Sequence, residues 1–315
     1  MQPVTVVRWR RLVFAAFALL AGPSWAKECI GVVPASAHAF WTQVEAGALQ
    51  AATETGVDIY FRGPSREGSI DAQLQLIDKI VERGCKALII APSGIEIIAK
   101  VRELKARGIL TFYIDRDVGG ADVQAVIATN NYKAGQLAGQ HLGQVMGGKG
   151  RVGVIRMSPP VTSTSERQRG FAQAAKDAGL SIVFDRALGD DPELTFDALR
   201  DQLPHLDALF TPNGSTTRET HAALLRLNAA GQLRHIGFDG GQLLVDALKA
   251  GQLDALILQQ PYAMGYQSVR LAQRALRDKR TEPQRRQVEL DVLLLTRENL
   301  HKPEVKELLA LPKRP

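Results

Sequence analysis

The sequence predicts an α/β fold of two similar Rossmann-like lobes, each a parallel sheet flanked by helices. Three observations lead there. Short β-branched runs alternate with amphipathic stretches almost without interruption, which means βαβ units with right-handed crossovers. There are more such runs than one parallel sheet of ordinary size takes up. The succession of units also begins again after Asn130-Asn131, which sets the break between lobes there.

In chain order, the strand candidates of the first lobe are IGVVPA (30–35), DIYFRG (58–63), ALIIAP (87–92), LTFYID (110–115) and AVIATN (125–130). Those of the second are RVGVIRM (151–157), SIVFDRA (181–187), ALFTPN (208–213), RHIGFDG (234–240) and LDALILQQ (253–260). Helical periodicity is clearest over 69–84, where Ile70, Leu74, Ile77, Ile80 and Val81 share one face. Ser69 is placed to cap that helix and Gly84 to end it. MGGKGRVG (146–153) is glycine-rich but precedes a strand instead of joining one to a helix, so it reads as a turn and not a phosphate loop. After the polar stretch DKRTEPQRRQ, VELDVLLLT (288–296) reads as a late strand returning across the lobes. The expected division is 27–131 plus 260–288 for the first lobe and 132–259 plus 289–298 for the second, joined by a multi-strand hinge. Residues 299–315, with their Pro and Lys, are expected as a surface tail.

The first residues indicate the compartment. Arg8, Arg10 and Arg11 precede the apolar run LVFAAFALLAG and the small-x-Ala site Ser24-Trp25-Ala26. This is the layout of a secretory signal, too short to span a bilayer comfortably, with cleavage expected after Ala26. The chain carries 39 Lys and Arg against 33 Asp and Glu, and three of the arginines belong to the signal. What remains is nearly balanced, so nothing argues for nucleic acid. Cys29 and Cys85 stand at the amino ends of strands that could be neighbours, so either a disulfide or two separate thiols is open. Two cysteines without a nearby His pattern do not suggest zinc, and no metal or other cofactor is expected.

Function is written at the strand ends. LTFYI runs into Asp115-Arg116, ALFTP into Asn213, IGF into Asp239 and ALIL into Gln259. Ligands of open α/β sheets bind beyond the carboxyl ends of the strands. Carboxylates, a guanidinium and amides held there make a polar pocket, and a carbohydrate matches such a lining best. Each residue also has a plainer reading: Asp115-Arg116 as a surface ion pair, and Asn213 and Asp239 as turn residues bonding their own backbone.

With those residues in place, the chain resembles the ribose/galactose-type periplasmic binding proteins. The markers are AFWTQVEAGALQAA (39–52), FYIDRD (112–117), ATNNYKAGQLAGQHL (128–142), SERQRGF (165–171), LFTPNG (209–214), GFDGG (237–241) and LQQPYAMGY (258–266). No helix-turn-helix precedes the first strand, which sets the chain apart from the repressors that share the fold. The resemblance implies a type I periplasmic binding protein whose ligand set includes Phe40, Trp41, Asp115, Arg116, Arg167, Asn213, Asp239 and Gln259. Of the aromatic pair, Phe40 is the better match for the cleft, one of the two being a core residue of its helix. His38 stands where the family has Asn, and a further family aromatic has no match near Gly189–Asp191. A polar small ligand is therefore implied, not ribose in particular.

The resulting expectation is a monomeric periplasmic receptor that closes around a monosaccharide or polyol and passes it to a membrane ABC permease. A neutral sugar fits better than an anion, because Asp115 and Asp239 offset Arg116 and Arg167. One alternative keeps the fold and makes the chain the periplasmic partner of a sensor histidine kinase or chemoreceptor. A remoter one is a secreted glycosidase using Asp115 and Asp239 as acid and base. Against it, Arg116 is expected to hold the Asp115 carboxyl down. The chain is accordingly expected not to be an enzyme.

Overall fold

The computed structural model describes residues 28–188, 191–278 and 285–310. The expected signal peptide, Gly189–Asp190, most of DKRTEPQRRQ and the end of the tail lie outside them.

Two six-stranded sheets form the framework. The first contains β1 (Cys29–Val33), β2 (Asp58–Phe61), β3 (Ala87–Ile90), β4 (Leu110–Ile114) and β5 (Ala125–Thr129), all parallel in the order β2-β1-β3-β4-β5. The second contains β6 (Arg151–Arg156), β7 (Ser181–Ala187), β8 (Ala208–Phe210), β9 (Arg234–Phe238) and β10 (Ala255–Leu258) in the matching order β7-β6-β8-β9-β10. The helices between them are α1 (Ala39–Thr55), α2 (Ile70–Glu82), α3 (Ile97–Ala106), α4 (Asn131–Val145), α5 (Thr162–Asp177), α6 (Pro192–Gln202), α7 (Gly214–Arg226), α8 (Gln242–Lys249) and α9 (Pro261–Asp278). The α/β class and the two parallel-based sheets are those the alternation of apolar runs predicts. Central strands such as β3 and β10 are buried along their whole length, as strands covered on both faces must be.

VELDVLLLT is two strands, not one. β11 (Arg286–Leu290) lies parallel to β5, and β12 (Leu293–Leu295) antiparallel to β10. A strand hydrogen-bonds to one sheet at a time, so the chain breaks at Asp291-Val292 to pass between them. Glu289 and Leu290 thereby pair with the first sheet. The expected surface tail is also corrected. It forms α10 (Pro303–Leu309), whose Val305 is fully buried and whose Leu308 and Leu309 pack with Leu300 against Leu244, Leu248 and Leu258. These apolar residues fall on one helical face, and that spacing outweighs the flanking Lys and Pro. Ser69 occupies the position before α2 but its side chain makes no capping bond; its carbonyl alone accepts, from the Gln73 amide. Gly84, just past that helix, takes the left-handed conformation at φ 77°. Residues 146–148 form a turn.

Of the two open states for the cysteines, the structure has the disulfide. Cys29 and Cys85 are bonded with Cα atoms 4.3 Å apart, joining the start of β1 to the approach of its neighbour β3.

The chain passes between the sheets at Asn130, at Gln259–Gln260 and at Asp291–Val292. Polar bonds tie these segments: Asn130 Nδ2 donates to Glu289 Oε2 at 2.6 Å, and Gln260 Nε2 to the Asp291 carbonyl at 3.0 Å. After each of the first two crossings a helix packs on the first helix of the half it enters, α4 on α5 and α9 on α1. Glycines let the backbones touch. A Cβ on Gly135 would fall 1.9 Å from the Arg167 carbonyl oxygen, and one on Gly170 2.0 Å from that of Tyr132. Gly47 and Gly265 stand in the same reciprocal relation, each 2.0 Å from a carbonyl oxygen, of Tyr262 and of Val44.

Those contacts invert a common expectation. Gly→Ala in an open helix adds about 1 kcal/mol of stability. Gly170→Ala here should lower it by at least about 1 kcal/mol, because backbone must move. Urea unfolding followed by circular dichroism checks this; an unshifted midpoint would mean that α4 and α5 are not in backbone contact.

Candidate functional site

The two aspartates singled out at the strand ends share a rare backbone state. Asp115, after β4, has φ 63°, and Asp239, after β9, has φ 64°. The left-handed region costs a non-glycine residue about 1 kcal/mol or more, so it persists only where neighbours enforce it. Each backbone is pinned the same way. The Asp115 amide donates to the Ile127 carbonyl at 3.0 Å, and the Asp239 amide to that of Ile257 at 2.9 Å. The strands thus end abruptly and the carboxylates turn into the space between the sheets.

All nine sequence-predicted residues line one cavity there, of about 850 Å³: His38, Phe40, Trp41, Asp115, Arg116, Arg167, Asn213, Asp239 and Gln259. That is the size range of small-molecule pockets. Phe40 and Trp41 open α1 and meet edge to face, ring centres 4.9 Å apart. Trp41 belongs to the first core cluster, while Phe40 is only partly buried against it, so Phe40 has the free ring. Arg167, on α5, is 2% exposed and fully held. Its Nε donates to Asn131 Oδ1 at 2.8 Å, Nη1 to the Pro212 carbonyl at 2.9 Å and Nη2 to Gln259 Oε1 at 2.6 Å. Gln259 in turn donates to Asp239 Oδ1 at 2.7 Å, and the other Asp239 oxygen accepts from the Gly214 amide at 2.8 Å. The turn-residue reading of Asp239 therefore fails: its carboxylate binds a different segment, not its own backbone. Asn213 is closer to that reading, since its side chain bonds Ser215 and Thr216 at the start of α7.

Sequence reasoning missed Glu67 and Arg218, both in the cavity wall. Glu67 bonds Arg116 Nη2 with one oxygen and stands 3.3 Å from His38 Nε2 with the other. It sits in the loop after β2, beyond the strand end at which the polar signal was sought. Arg218 stands one turn into α7, in a polar run that reads as a solvated face. Its spacing of four from Gly214 was the available signal.

The expectation that Arg116 holds Asp115 low is overturned. Arg116 Nε lies 3.3 Å from Asp115, but the guanidinium is shared with Glu67. Burial instead pushes Asp115 up to about 6, against the opposing pull of Arg167. Burial, with Arg167 nearby, brings Arg116 down to about 10, so it stays charged near neutrality. Burial, followed by the charge of Arg218, holds His38 below its ordinary value. Among the described residues no His/Cys/Asp/Glu group is arranged to hold a metal ion. Fixed donors and acceptors around a cavity, with one free aromatic face, can bind a polyhydroxylated molecule from both sides.

Comparisons with known proteins agree with this geometry. A model of the periplasmic binding protein domain matches residues 30–280. The ribose import binding protein of Bacillus subtilis is 24% identical over 296 residues, 89% of this chain and 95% of its own length. The structure of an ABC transporter solute-binding protein from Agrobacterium vitis with bound D-fucose is 28% identical, with a TM-score of 0.81, covering 90% of this chain and 100% of that one. The periplasmic component of an ABC-type sugar transport system from Hahella chejuensis is 30% identical, with a TM-score of 0.78, covering 85% and 99%.

The Asp115 shift has a sign that can be measured. In the unliganded protein the folded state holds this proton more tightly than the unfolded chain does. Its contribution to stability is therefore complete below 3.8 and is lost as pH rises through about 6. A ligand hydroxyl donating to the carboxylate favours the charged form and lowers that value. Binding near pH 6 should thus release protons, and affinity should weaken as pH falls below about 6. Calorimetry in two buffers of different ionisation enthalpy reads the release; proton uptake would mean that Asp115 receives no donor from the ligand.

Proposed function

The chain belongs to the periplasmic binding protein domain family, and from that premise we propose that it is a periplasmic receptor for a monosaccharide or similar polyol. One observation carries the reading: polar groups fixed on both sheets' strand ends converge on a single cavity with a free aromatic ring. Phe40 stacks on the C–H face of the sugar ring, while hydroxyls bond to Asp115, Arg116, Asn213 and Asp239 around its rim. A ligand touching both lobes binds the closed arrangement better than the open one and shifts the population toward it. The three crossing segments are the hinge. The closed form is what a membrane partner reads, and delivery to an ABC-type sugar importer is the reading that the curated and solved relatives favour. Export by a signal cleaved after Ala26 completes it.

No bond of the sugar is broken in this scheme. With Asp115 raised to about 6, a glycosidase is no longer disfavoured by that pKa, and the argument moves to geometry. Gln259 and the Gly214 amide hold the Asp239 carboxylate in place, the arrangement of a fixed acceptor for a hydroxyl.

Thermal melting against pentoses, hexoses, polyols and their acids tests the reading, after unfolding and refolding to strip carried-over ligand. Binding raises the melting temperature as RT ln(1 + [L]/Kd), so one or two stereochemically related compounds should stand out. Arg116→Ala and Asp239→Ala should each weaken that compound's binding by at least ~1.5 kcal/mol, the scale of a charged hydrogen bond. Unchanged affinity in both variants, or release of product from an added glycoside, would remove the proposal.

A further inference from the structure

The cavity holds positive charge that a neutral sugar leaves unused. Arg218 lines it from α7, and its Nη1 lies 3.2 Å from the point where a Cβ on Gly214 would stand. The guanidinium therefore stands near the amino-terminal end of a 13-residue helix, whose first amide is bonded to Asp239 and whose dipole favours an anion. Among the described residues no carboxylate pairs with it; the carboxylates nearest the site, Glu67 and Asp239, are engaged by Arg116, His38, Gln259 and the Gly214 amide. Arg218 and Arg116 both act on His38 across the gap, with Asp239 and Asp115 opposing them.

A second observation points the same way independently. Arg116 is 6% exposed, and while its Nε and Nη2 are bonded, its buried Nη1 has no partner. A buried donor left unpaired is costly, more so on a charged group, so a ligand atom is the natural acceptor. Each oxygen of Asp239 and of Glu67 already has one partner and keeps capacity for one more. A hydroxyl brings a donor along with its acceptor sites, whereas a carboxylate or phosphate only accepts. Arg116 Nη1 and Arg218 offer donors alone, and a group of the second kind meets both. Glu67 and Arg218 enlarge the count of two arginines against two aspartates by one charge of each sign, so the excess comes from elsewhere in the wall. Lys306 on α10 adds a further cation to the same wall.

We propose that the ligand is an acidic sugar, its anionic group lying between Arg116 Nη1 and Arg218 in front of His38. The proposal rests on the receptor reading above and narrows its ligand class. The sugar ring keeps Phe40, Asp115, Asn213 and Asp239. The anion completes the unpaired Nη1 of Arg116 and gives Arg218 its counter-charge.

The test is calorimetric titration of the stripped protein, unaltered and as Arg218→Gln, with matched sets: glucose, glucuronate and glucose 6-phosphate; galactose, galacturonate and galactose 6-phosphate. At least one acid should bind about tenfold or more tighter than its neutral parent, with the advantage shrinking as salt is added. Arg218→Gln should abolish that advantage and leave the neutral parent within about twofold, with an unchanged circular dichroism spectrum showing that the variant is folded. A preference for carboxylate or for phosphate identifies which acid the site takes. Neutral sugars binding as tightly as every acid would overturn the proposal and leave the receptor standing. An acid preference untouched by Arg218→Gln would overturn the assignment to this arginine. Silence from all six compounds, together with the wider panel of neutral sugars and polyols, would overturn both readings.

Discussion

The amide of Gln259 is the interaction on which the rest of the site depends. Its oxygen accepts from Thr129 Oγ1 at 2.9 Å and from Arg167 Nη2 at 2.6 Å, while its nitrogen donates to Asp239 Oδ1 at 2.7 Å. Thr129 ends β5 just before one crossing, and Gln259 follows β10 at the next. One buried side chain thus joins the crossing segments to the cavity-lining groups of the second half. In a low-dielectric interior such a network is rigid when every member is satisfied and costly when one is not. Arg167 shows the first condition, with each guanidinium nitrogen bonded; Arg116 shows the second, with one nitrogen left over. The fixed group orients, and the unfulfilled one invites a ligand.

The same economy recurs at the level of the fold. Strand order, the left-handed aspartate after the fourth strand, its amide bond to the next strand and the glycine contacts between helices all occur twice. Two copies of one βαβ arrangement face each other, and each supplies a carboxylate at the equivalent point. What differs is the surroundings. Asp115 accepts from an arginine already shared with Glu67, whereas Asp239 is held by an amide side chain and a backbone amide. Equivalent positions therefore offer the ligand different hydrogen-bonding, and an asymmetric molecule has one preferred orientation.

Much of this was legible because strands end where polarity begins. The run of β-branched residues breaking at Asp115, Asp239 and Gln259 is a local pattern, and the sheets bring such points together whatever lies between. The residues that escaped notice depend on distance in space. Glu67 belongs to a loop whose course no periodicity records, and Arg218 reads as one more charge on a polar helix until α7 is placed. The Asp115 carboxyl was misjudged for a related reason: adjacency to Arg116 in the chain suggested a dominant ion pair, while burial sets its proton affinity. The helix at the carboxyl end was hidden by its composition, since Pro and Lys flank a face that Val305, Leu308 and Leu309 bury.

That last helix, with the two strands before it, has a consequence for how the molecule comes into being. β11 is the final strand of the first sheet, β12 that of the second, and α10 covers the Gly240 strap beside Asp239, with Leu309 Cδ2 3.0 Å from where a Cβ on that glycine would sit. β11 pairs with β5, far back in the chain, and pairings of such long sequence separation are slow to form. Closing the first sheet therefore waits on residues that follow the second sheet's parallel strands, so neither half completes its fold independently of the other.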